Sequence, residues 1–214
     1  MLDRTSPYLL EGPALISFSG GRTSGYMLKQ IIDAHGGQLP DDVVVAFCNT
    51  GKEREETLNF VRDCSEQWHT PIVMLEWIAD EPGYRIVGHN SMSRTGEPFT
   101  AMLRHHVNRK DGTSGRRPLP TMIASSCTTN LKTRLKWKYV RHALGWKSYA
   151  NAIGFRYDER HRYDSALKYA ETGEAVICPM VAEKVCERDV MAFWAKQPFD
   201  LRLKQYEGNC DLCF

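Results

Sequence analysis

Short apolar runs alternate with amphipathic segments along the first part of the chain. Residues 14–18 form an apolar run that stops at a pair of glycines, and residues 43–47 form a continuous β-branched run, typical of a strand buried on both faces. Between them, apolar residues recur at helical spacing until 35–37, where His-Gly-Gly predicts a helix end. A helix over 53–68 and a strand over 72–75 follow. This order predicts a parallel α/β sheet.

The pattern loses its regularity in the middle of the chain. From about residue 81 to 117 the sequence is rich in Gly, Ser, Arg and His and shows little sustained periodicity. Within it, residues 104–117 carry five Arg or Lys and one Asp. The segment predicts either a lid over a site or a basic insertion, because long loops of this kind usually carry function.

Regular elements return after this segment. The pattern predicts a basic helix over 129–144, a fourth strand over 149–153, a short fifth strand over 175–179 and a last helix over 183–194. A tail of about residues 200–214 carries a Cys-x-x-Cys pair. The 214 residues contain no internal repeat and suit one domain over 1–214.

Composition narrows the functional classes only a little. The net charge of +2 does not by itself indicate a nucleic-acid binder. No run reaches the roughly 20 apolar residues of a membrane span, and the start of the chain lacks the apolar run of a secretory signal. A cytoplasmic protein is therefore expected, without a membrane partner. In a reducing compartment the seven cysteines indicate metal binding or redox chemistry rather than disulfides.

Candidate chemistry begins where the first strand meets the first helix, at residues 17–25. Gly20 and Gly21 would let backbone amides approach an anion, and the new helix would offer unpaired N–H groups and the positive end of its dipole. Further donors are the hydroxyls of Ser19, Thr23 and Ser24 and the guanidinium of Arg22. The segment therefore predicts a phosphate-binding loop. The alternative is a simple Gly-Gly turn with a Ser or Thr helix cap.

Four segments resemble, in family order, the PAPS (phosphoadenosine phosphosulfate) reductase-like branch of the PP-loop ATP pyrophosphatases. Residues 19–24 are similar to the Ser-Gly-Gly-x-Asp-Ser signature, and residues 48–57 to an Asp-Thr-Gly…Glu-Thr stretch. Residues 154–160 resemble a Gly-x-Arg-x-x-Glu segment, and 179–190 a Pro-Leu…Asp-Val helix entry. The resemblance spans nearly the whole chain. It implies an adenine nucleotide alpha-hydrolase-like fold, a three-layer α/β sandwich with a mainly parallel central sheet.

The resemblance also implies a site for an adenine nucleotide, either ATP, cleaved to AMP and pyrophosphate with Mg²⁺ as a companion, or PAPS or adenylyl sulfate. The implied nucleotide-binding residues are Ser17, Ser19, Gly20, Gly21, Arg22, Thr23, Ser24, Asn49, Thr50, Gly51, Gly154 and Arg156. The implied catalytic residues are Arg22, Ser24, Arg156 and Glu159. Thr23 and Asn49 stand where the family commonly has Asp, which makes the site less acidic and suits an anion bound with less metal.

Three cysteines form a second constellation. Cys127, Cys210 and Cys213 resemble the layout that holds a [4Fe-4S] cluster in assimilatory reductases, but Ser126 occupies the first position of the Cys-Cys pair. A three-cysteine cluster with an open iron is what the tRNA-thiolating PP-loop enzymes use to carry sulfur. Zinc with a further ligand, or a buried Cys127 with free thiols in the tail, are the alternatives. The other cysteines, predicted to lie in the core, are Cys48, Cys64, Cys178 and Cys186.

Three functions follow from these observations. The first is a PP-loop transferase that binds ATP, adenylates an acceptor and acts in sulfur transfer with an iron–sulfur cluster. The second is an oxidoreductase acting on PAPS or adenylyl sulfate, but the Glu-Cys-Gly-x-His tail of those reductases is missing. The third is a non-catalytic nucleotide-binding subunit of a nucleic-acid-modifying or defence complex, in which a protein partner or oligomer is expected.

Basic residues supply two further expectations. Arg156, Arg160 and Arg162 follow the fourth strand, where an open α/β sheet places its ligand crevice. A patch for DNA or tRNA is predicted at Arg116, Arg117, Lys132, Lys136 and Arg141. The alternative is that the basic helix simply presents a solvated face.

Overall fold

A computed structural model describes residues 6–108, 114–116 and 127–211. The strands are β1 (Ala14–Phe18), β2 (Val43–Asn49), β3 (Ile72–Trp77), β4 (Tyr84–Val87), β5 (His106–Asn108), β6 (Ser114–Arg116), β7 (Tyr149–Ile153) and β8 (Glu174–Ile177). The helices are α1 (Arg22–Ala34), α2 (Glu55–Gln67), α3 (Glu97–Arg104), α4 (Arg134–His142), α5 (Arg160–Lys168), α6 (Pro179–Ala182) and α7 (Glu187–Trp194). A π-helical segment, Thr128–Thr133, leads into α4, and a 3-10 turn, Tyr157–Glu159, precedes α5.

Six strands form one sheet in the order β4-β3-β2-β1-β7-β8. All neighbours are parallel except β3 and β4, which pair antiparallel. The chain moves outward from β1 through β2 to β3 and then crosses back to β7 on the other side of β1. The sheet is therefore doubly wound, with its switch point between β1 and β7. The mainly parallel α/β sheet predicted from the apolar pattern is confirmed.

Side chains alternate between the two faces of β1, as the period of a strand requires. Ala14, Ile16 and Phe18 join the larger core with apolar residues of α1, α2 and α7, whereas Leu15 joins the smaller core with Leu135 of α4. The sheet is thus covered by helices on both faces. The fourth residue of the strand, Ser17, lies on the α4 face near the carboxyl end of β1.

The middle of the chain is more regular than its sequence predicts. It contains β4, the short helix α3 and the two-stranded hairpin β5–β6, where the sequence pattern indicated a largely irregular segment. The reason is that these elements are short, and β4 and α3 are only partly buried, so they need no sustained apolar period. Residues 109–113 and 117–126, including Arg117, lie outside the described residues.

The last third also differs from the predicted elements. The helix expected over 183–194 begins only at Glu187, because Lys184 adopts a left-handed backbone conformation with φ of 54°. The expected fifth strand ends at Ile177, and Pro179 instead begins α6. Helix α5 was not predicted, since none of its nine residues is buried and its sequence has no apolar stripe.

Membrane-spanning helices were searched for in the described ranges. None of the helices there combines the length and the apolar character that crossing a bilayer requires.

Candidate functional site

The candidate site lies at the carboxyl edge of the sheet, beside the switch point. Loops after β1, β2 and β7 meet there, which is where open α/β sheets bind their ligands. The approach is close: a Cβ added at Gly154, just after β7, would lie 3.2 Å from Cα of Ser24 in the first turn of α1. The structure therefore brings the predicted segments 19–24 and 154–156 together.

The loop between β1 and α1 is braced from within by Ser24. Its hydroxyl donates to the carbonyl of Gly21 at 2.9 Å and accepts from the amide of Ser19 at 3.1 Å. The Ser19 hydroxyl also donates to it at 2.9 Å. Ser24 is buried, so its side chain holds the loop in shape rather than facing the crevice. Its predicted catalytic role therefore has no support in this geometry.

Four amides at the start of α1 lack a hydrogen-bond acceptor among the described residues. Within the described part of the chain, no atom accepts a hydrogen bond from the amides of Gly20, Gly21, Arg22 or Thr23. These donors stand at the N-terminus of the 13-residue helix α1, whose dipole adds positive potential. Together they form a cradle suited to an anion.

Arg22 does not face this cradle. Its guanidinium forms a two-pronged ion pair with Asp200, with N···O distances of 2.6 and 2.5 Å. Burial alone would raise the pKa of Asp200, but the hydrogen bonds and charge of Arg22, together with hydrogen bonds from the backbone of Leu201 and Arg202, outweigh it and hold that pKa below its usual range. The direct phosphate contact predicted for Arg22 is thus replaced by a contact that anchors residues after α7 to the start of α1.

Replacing Asp200 with Asn should therefore lower stability in a pH-dependent way. A depressed pKa in the folded state stabilises the protein above the unfolded pKa of about 4 and loses this effect as pH falls. We expect a loss of about 1 kcal/mol at pH 7, since the pair is partly exposed, and almost none at pH 3. Urea unfolding of both proteins at the two pH values measures this difference. Equal losses at pH 7 and pH 3 would contradict the role of the ion pair.

Ser17 belongs to a polar chain beneath the site. Its hydroxyl donates to Asn151 on β7 at 2.6 Å and accepts from Nζ of Lys136 at 2.5 Å, while Asn151 donates to Glu174 on β8. Burial lowers the pKa of Lys136, an effect that the nearby Cys48 and Glu174 partly offset. The structure therefore places Ser17 and Lys136 in a network that ties three strands and α4 together, not in a phosphate contact or a surface patch.

Asn49 is completely buried at the end of β2 and orders the loop that follows. Its side-chain nitrogen donates to Glu76 at 2.6 Å and to the carbonyl of Ser93 at 2.8 Å, and its side-chain oxygen accepts from the amide of Gly51 at 3.0 Å. Glu76, also fully buried, forms an ion pair with Arg85 at 2.6 Å. Asn49 thus positions Gly51, and no sequence pattern indicated its partner Glu76.

Thr50 and Glu53 continue this loop. One oxygen of Glu53 accepts from both the amide and the hydroxyl of Thr50, each at 2.8 Å. Lys132, from the π-helical segment, lies 3.8 Å from the other oxygen. The helical segment that begins after Cys127 is thereby tied to the loop after β2.

The C-terminal tail packs onto the loop between β1 and α1. The Asn209 carbonyl accepts from the amide of Arg54 at 3.0 Å, and its side-chain amide donates to the carbonyl of Ser19 at 3.3 Å. This pairing brings Cys210 opposite Glu53 in an antiparallel bridge. The tail contact was not predicted, because no motif includes Asn209.

Cys127 and Cys210 therefore both belong to segments that reach Glu53 in the loop after β2. Cys213 lies outside the described residues, within which no group of three or more His, Cys, Asp or Glu side chains is placed to hold a metal ion. Of the cysteines predicted to be structural, Cys48, Cys64 and Cys178 are buried, as expected. Cys186 is only half-buried, since it lies at the N-cap of α7 rather than inside a helix.

Comparison with known proteins gives one informative likeness. No family model matches the chain. The chain is 30% identical over 210 residues to the uncharacterized nin region protein ORF290 of Escherichia phage lambda. The match covers 93% of this chain and 64% of the phage protein. The name of that protein states no activity.

Arg156 and Glu159 form an ion-pair network at the start of α5. The Arg156 guanidinium lies 3.1 Å from Asp158 and 3.6 Å from Glu159, and Glu159 also accepts from Arg162 at 2.6 Å. Burial alone would lower the pKa of Arg156, but these carboxylates raise it above its usual value. The two residues lie at the predicted carboxyl edge of the sheet, and in this arrangement they pair with each other and with the neighbouring Asp158 and Arg162.

Proposed function

We propose that the chain binds an adenine nucleotide at the carboxyl edge of the sheet, with its phosphates on the loop of residues 19–24. The observation that carries this proposal is the set of four consecutive amides, from Gly20 to Thr23, that find no acceptor among the described residues. Gly20 and Gly21 are buried, whereas Arg22 and Thr23 are half-buried. Because buried backbone donors are rarely left without a partner, an anionic ligand is a natural acceptor for the first two. The resemblance to PAPS reductase-like PP-loop proteins supports the same assignment and, with it, an adenine nucleotide alpha-hydrolase-like fold.

The proposed reaction is transfer of the adenylyl group of ATP to an acceptor. A nucleophilic oxygen of the acceptor would attack the α-phosphorus, and the bond from that phosphorus to the bridging oxygen would break. Pyrophosphate would leave with the bonding electron pair, and Mg²⁺ would enter with the ATP. The amides of Gly20 and Gly21 would stabilise the negative charge that grows on the departing group.

A role in sulfur transfer would require a [4Fe-4S] cluster, and the placement of two cysteines fits it. Cys127 and Cys210 are carried by two segments that reach Glu53, one through Lys132 and one through backbone pairing. With Cys213 they would provide three thiolate ligands, a donor set suited to iron–sulfur clusters. The cluster, when bound, would supply an open iron that carries sulfur. Iron and sulfide content after anaerobic purification, compared with that of Cys210→Ser, tests this part.

Replacing Gly21 with Val separates ligand binding from folding. Gly21 has φ of −108° and ψ of 162°, a conformation open to any residue. An added Cβ would lie 2.7 Å from the side-chain nitrogen of the half-buried Asn209, and the next two nearest atoms also belong to that side chain. We expect little loss of stability but a loss of ATP affinity of at least about tenfold, because the valine covers the amides that bind the phosphates.

Isothermal titration with ATP, adenylyl sulfate and PAPS measures this effect, and a thermal melt checks the fold. The ATP affinity of Asn209→Ala is measured as well. A loss of affinity caused by the valine can then be distinguished from a loss caused by moving the Asn209 side chain. Unchanged ATP affinity in Gly21→Val would overturn the proposed site. Pyrophosphate release from ATP, against sulfite release from PAPS, distinguishes the transferase from the reductase.

A further inference from the structure

Charge is strongly segregated along this nearly neutral chain. Residues 104–168 hold fifteen Arg and Lys and four Asp and Glu, a net charge of +11. The rest of the chain therefore carries −9, which leaves the total of +2. A charge asymmetry of this size within one domain indicates a polyanionic partner more strongly than the net charge does.

The fold places two helices of this segment, α4 and α5, on one side of the sheet. Helix α4 packs on the smaller core, opposite α1, α2 and α7. The step from β7 to β8 runs in the opposite direction to that from β1 to β2, so a right-handed crossover places α5 on the α4 side. Trp137 of α4 donates to the carbonyl of Thr172, just after α5, at 3.2 Å. We call the surface formed by α4 and α5 the basic face.

The basic face is exposed and only partly neutralised. Arg134 is 57% exposed and has a carboxylate, that of Glu171, only at 3.8 Å. Arg160 and Lys168 are exposed, and no carboxylate of the described ranges lies within ion-pairing distance of either. These cations run along the face from the carboxyl edge of the sheet, where the nucleotide site is proposed.

Aromatic side chains accompany the cations. Tyr157 and Tyr169, which flank α5, are 40% and 79% exposed, and Leu167 within it is 48% exposed. Large exposed rings next to unneutralised cations suit a single-stranded nucleic acid, whose phosphates bind the cations while its bases stack on the rings. An acidic protein segment would match the charge but would leave the rings without stacking partners.

We propose that the basic face binds a single-stranded nucleic acid and leads it to the carboxyl edge of the sheet. That this nucleic acid is the acceptor of the adenylyl group rests on the proposed function. Its binding to the basic face does not. Phosphates along the strand would contact α4 and α5, and its reactive base would reach the loops after β1 and β7.

The test compares two triple variants with equal changes in charge. Arg134→Gln, Arg160→Gln and Lys168→Gln together remove three cations from the basic face. Exposed cations elsewhere are removed in the control, which combines Arg188→Gln, Lys196→Gln and Lys204→Gln. Binding of a fluorescein-labelled single strand of DNA or RNA is measured by anisotropy at several salt concentrations, with a duplex and polyglutamate as competitors.

We expect the wild type and the control to bind the single strand alike. The basic-face variant should lose at least about tenfold in affinity, and the slope of log K against log salt should fall by about 1 for each phosphate contact removed. Equal losses in both variants, no binding by the wild type, or equally strong competition by the duplex or by polyglutamate would overturn the proposal. Concentration-dependent self-association in sedimentation, abolished in the basic-face variant without strand binding, would assign the face to a second copy instead.

Two further measurements separate this proposal from the nucleotide site. ATP affinity should be the same in the wild type and the basic-face variant, because the variant leaves residues 19–24 intact. If the single strand binds but ATP does not, the result supports the basic face as a nucleic-acid site and refutes the proposed nucleotide site. If both bind, the strand should increase pyrophosphate release in the wild type and not in the basic-face variant; no increase in the wild type would refute its role as acceptor.

Discussion

Replacing Gly20 with Ala is expected to destabilise the protein by about 2–5 kcal/mol. Two effects add up. Gly20 has φ of 77°, a left-handed conformation in which an L-residue is strained by about 1–2 kcal/mol. Its added Cβ would also lie 2.7 Å from Cγ2 of Thr57 and 3.0 Å from a ring carbon of Phe47, both buried in the core, and such overpacking costs about 1–3 kcal/mol.

Gly12→Ala is the matched control for this prediction. Gly12 has nearly the same φ, 71°, but no atom lies within 4 Å of the position of its added Cβ. Only the backbone strain remains, so we expect a loss of about 1–2 kcal/mol. Urea unfolding followed by circular dichroism gives both values. Equal losses in the two variants would show that the close packing of Gly20 against α2 and β2 does not contribute to the free energy of unfolding.

The sequence predicts the four central strands well, since most of their positions are apolar and buried between the two helix layers. The runs 14–18, 43–47, 72–75 and 149–153 each mark a strand of the sheet. The turn at Gly20 and the start of α1 follow from the same logic, because a strand that ends in two glycines before an amphipathic segment leaves few other geometries. Local pattern is therefore enough to locate the carboxyl edge of the sheet.

Partners within the site could not be predicted in the same way. The sequence shows that Arg22 stands beside the phosphate loop, but its partner Asp200 is 178 residues away. Whether a guanidinium binds a phosphate or a carboxylate depends on what the fold brings to it. For the same reason Asn209 was missed, and Lys132 was predicted in a nucleic-acid patch rather than beside Glu53, because each reaches the site from a distant segment.

The structure explains why Asn49 stands at a position where the resembling family commonly has Asp. A side-chain amide both donates and accepts, and Asn49 uses both functions, toward Glu76 and Gly51. Aspartate, which the resembling family commonly has there, could only accept once ionised. The acidic group is therefore not lost from this edge of the sheet. It lies one strand further out, as Glu76, where Arg85 pairs with it.

Replacing Asn49 with Asp should accordingly cost about 3–5 kcal/mol at neutral pH, the range for a buried charge without compensation. The new carboxylate would meet the oxygen of Glu76 that now accepts from Asn49 at 2.6 Å, and the carbonyl of Ser93 at 2.8 Å. The folded protein would have to keep a proton between the two carboxyls. Asn90→Asp, at an exposed position, is the control for the same chemical change and should alter stability by less than about 0.5 kcal/mol.

The penalty of Asn49→Asp should grow as pH rises. Carboxyls of the unfolded chain release their protons near pH 4, so above that pH the folded variant binds one proton more than the unfolded chain, and its stability falls by about 1.4 kcal/mol per pH unit while the proton is retained. Urea unfolding between pH 4 and 8 measures this slope. In the double variant Asn49→Asp with Glu76→Gln, the new amide can donate to the new carboxylate, so part of the stability should return and the slope should flatten. A penalty that is independent of pH, or a double variant less stable than Asn49→Asp alone, would show that the hydrogen bond between Asn49 and Glu76 does not order this edge of the sheet.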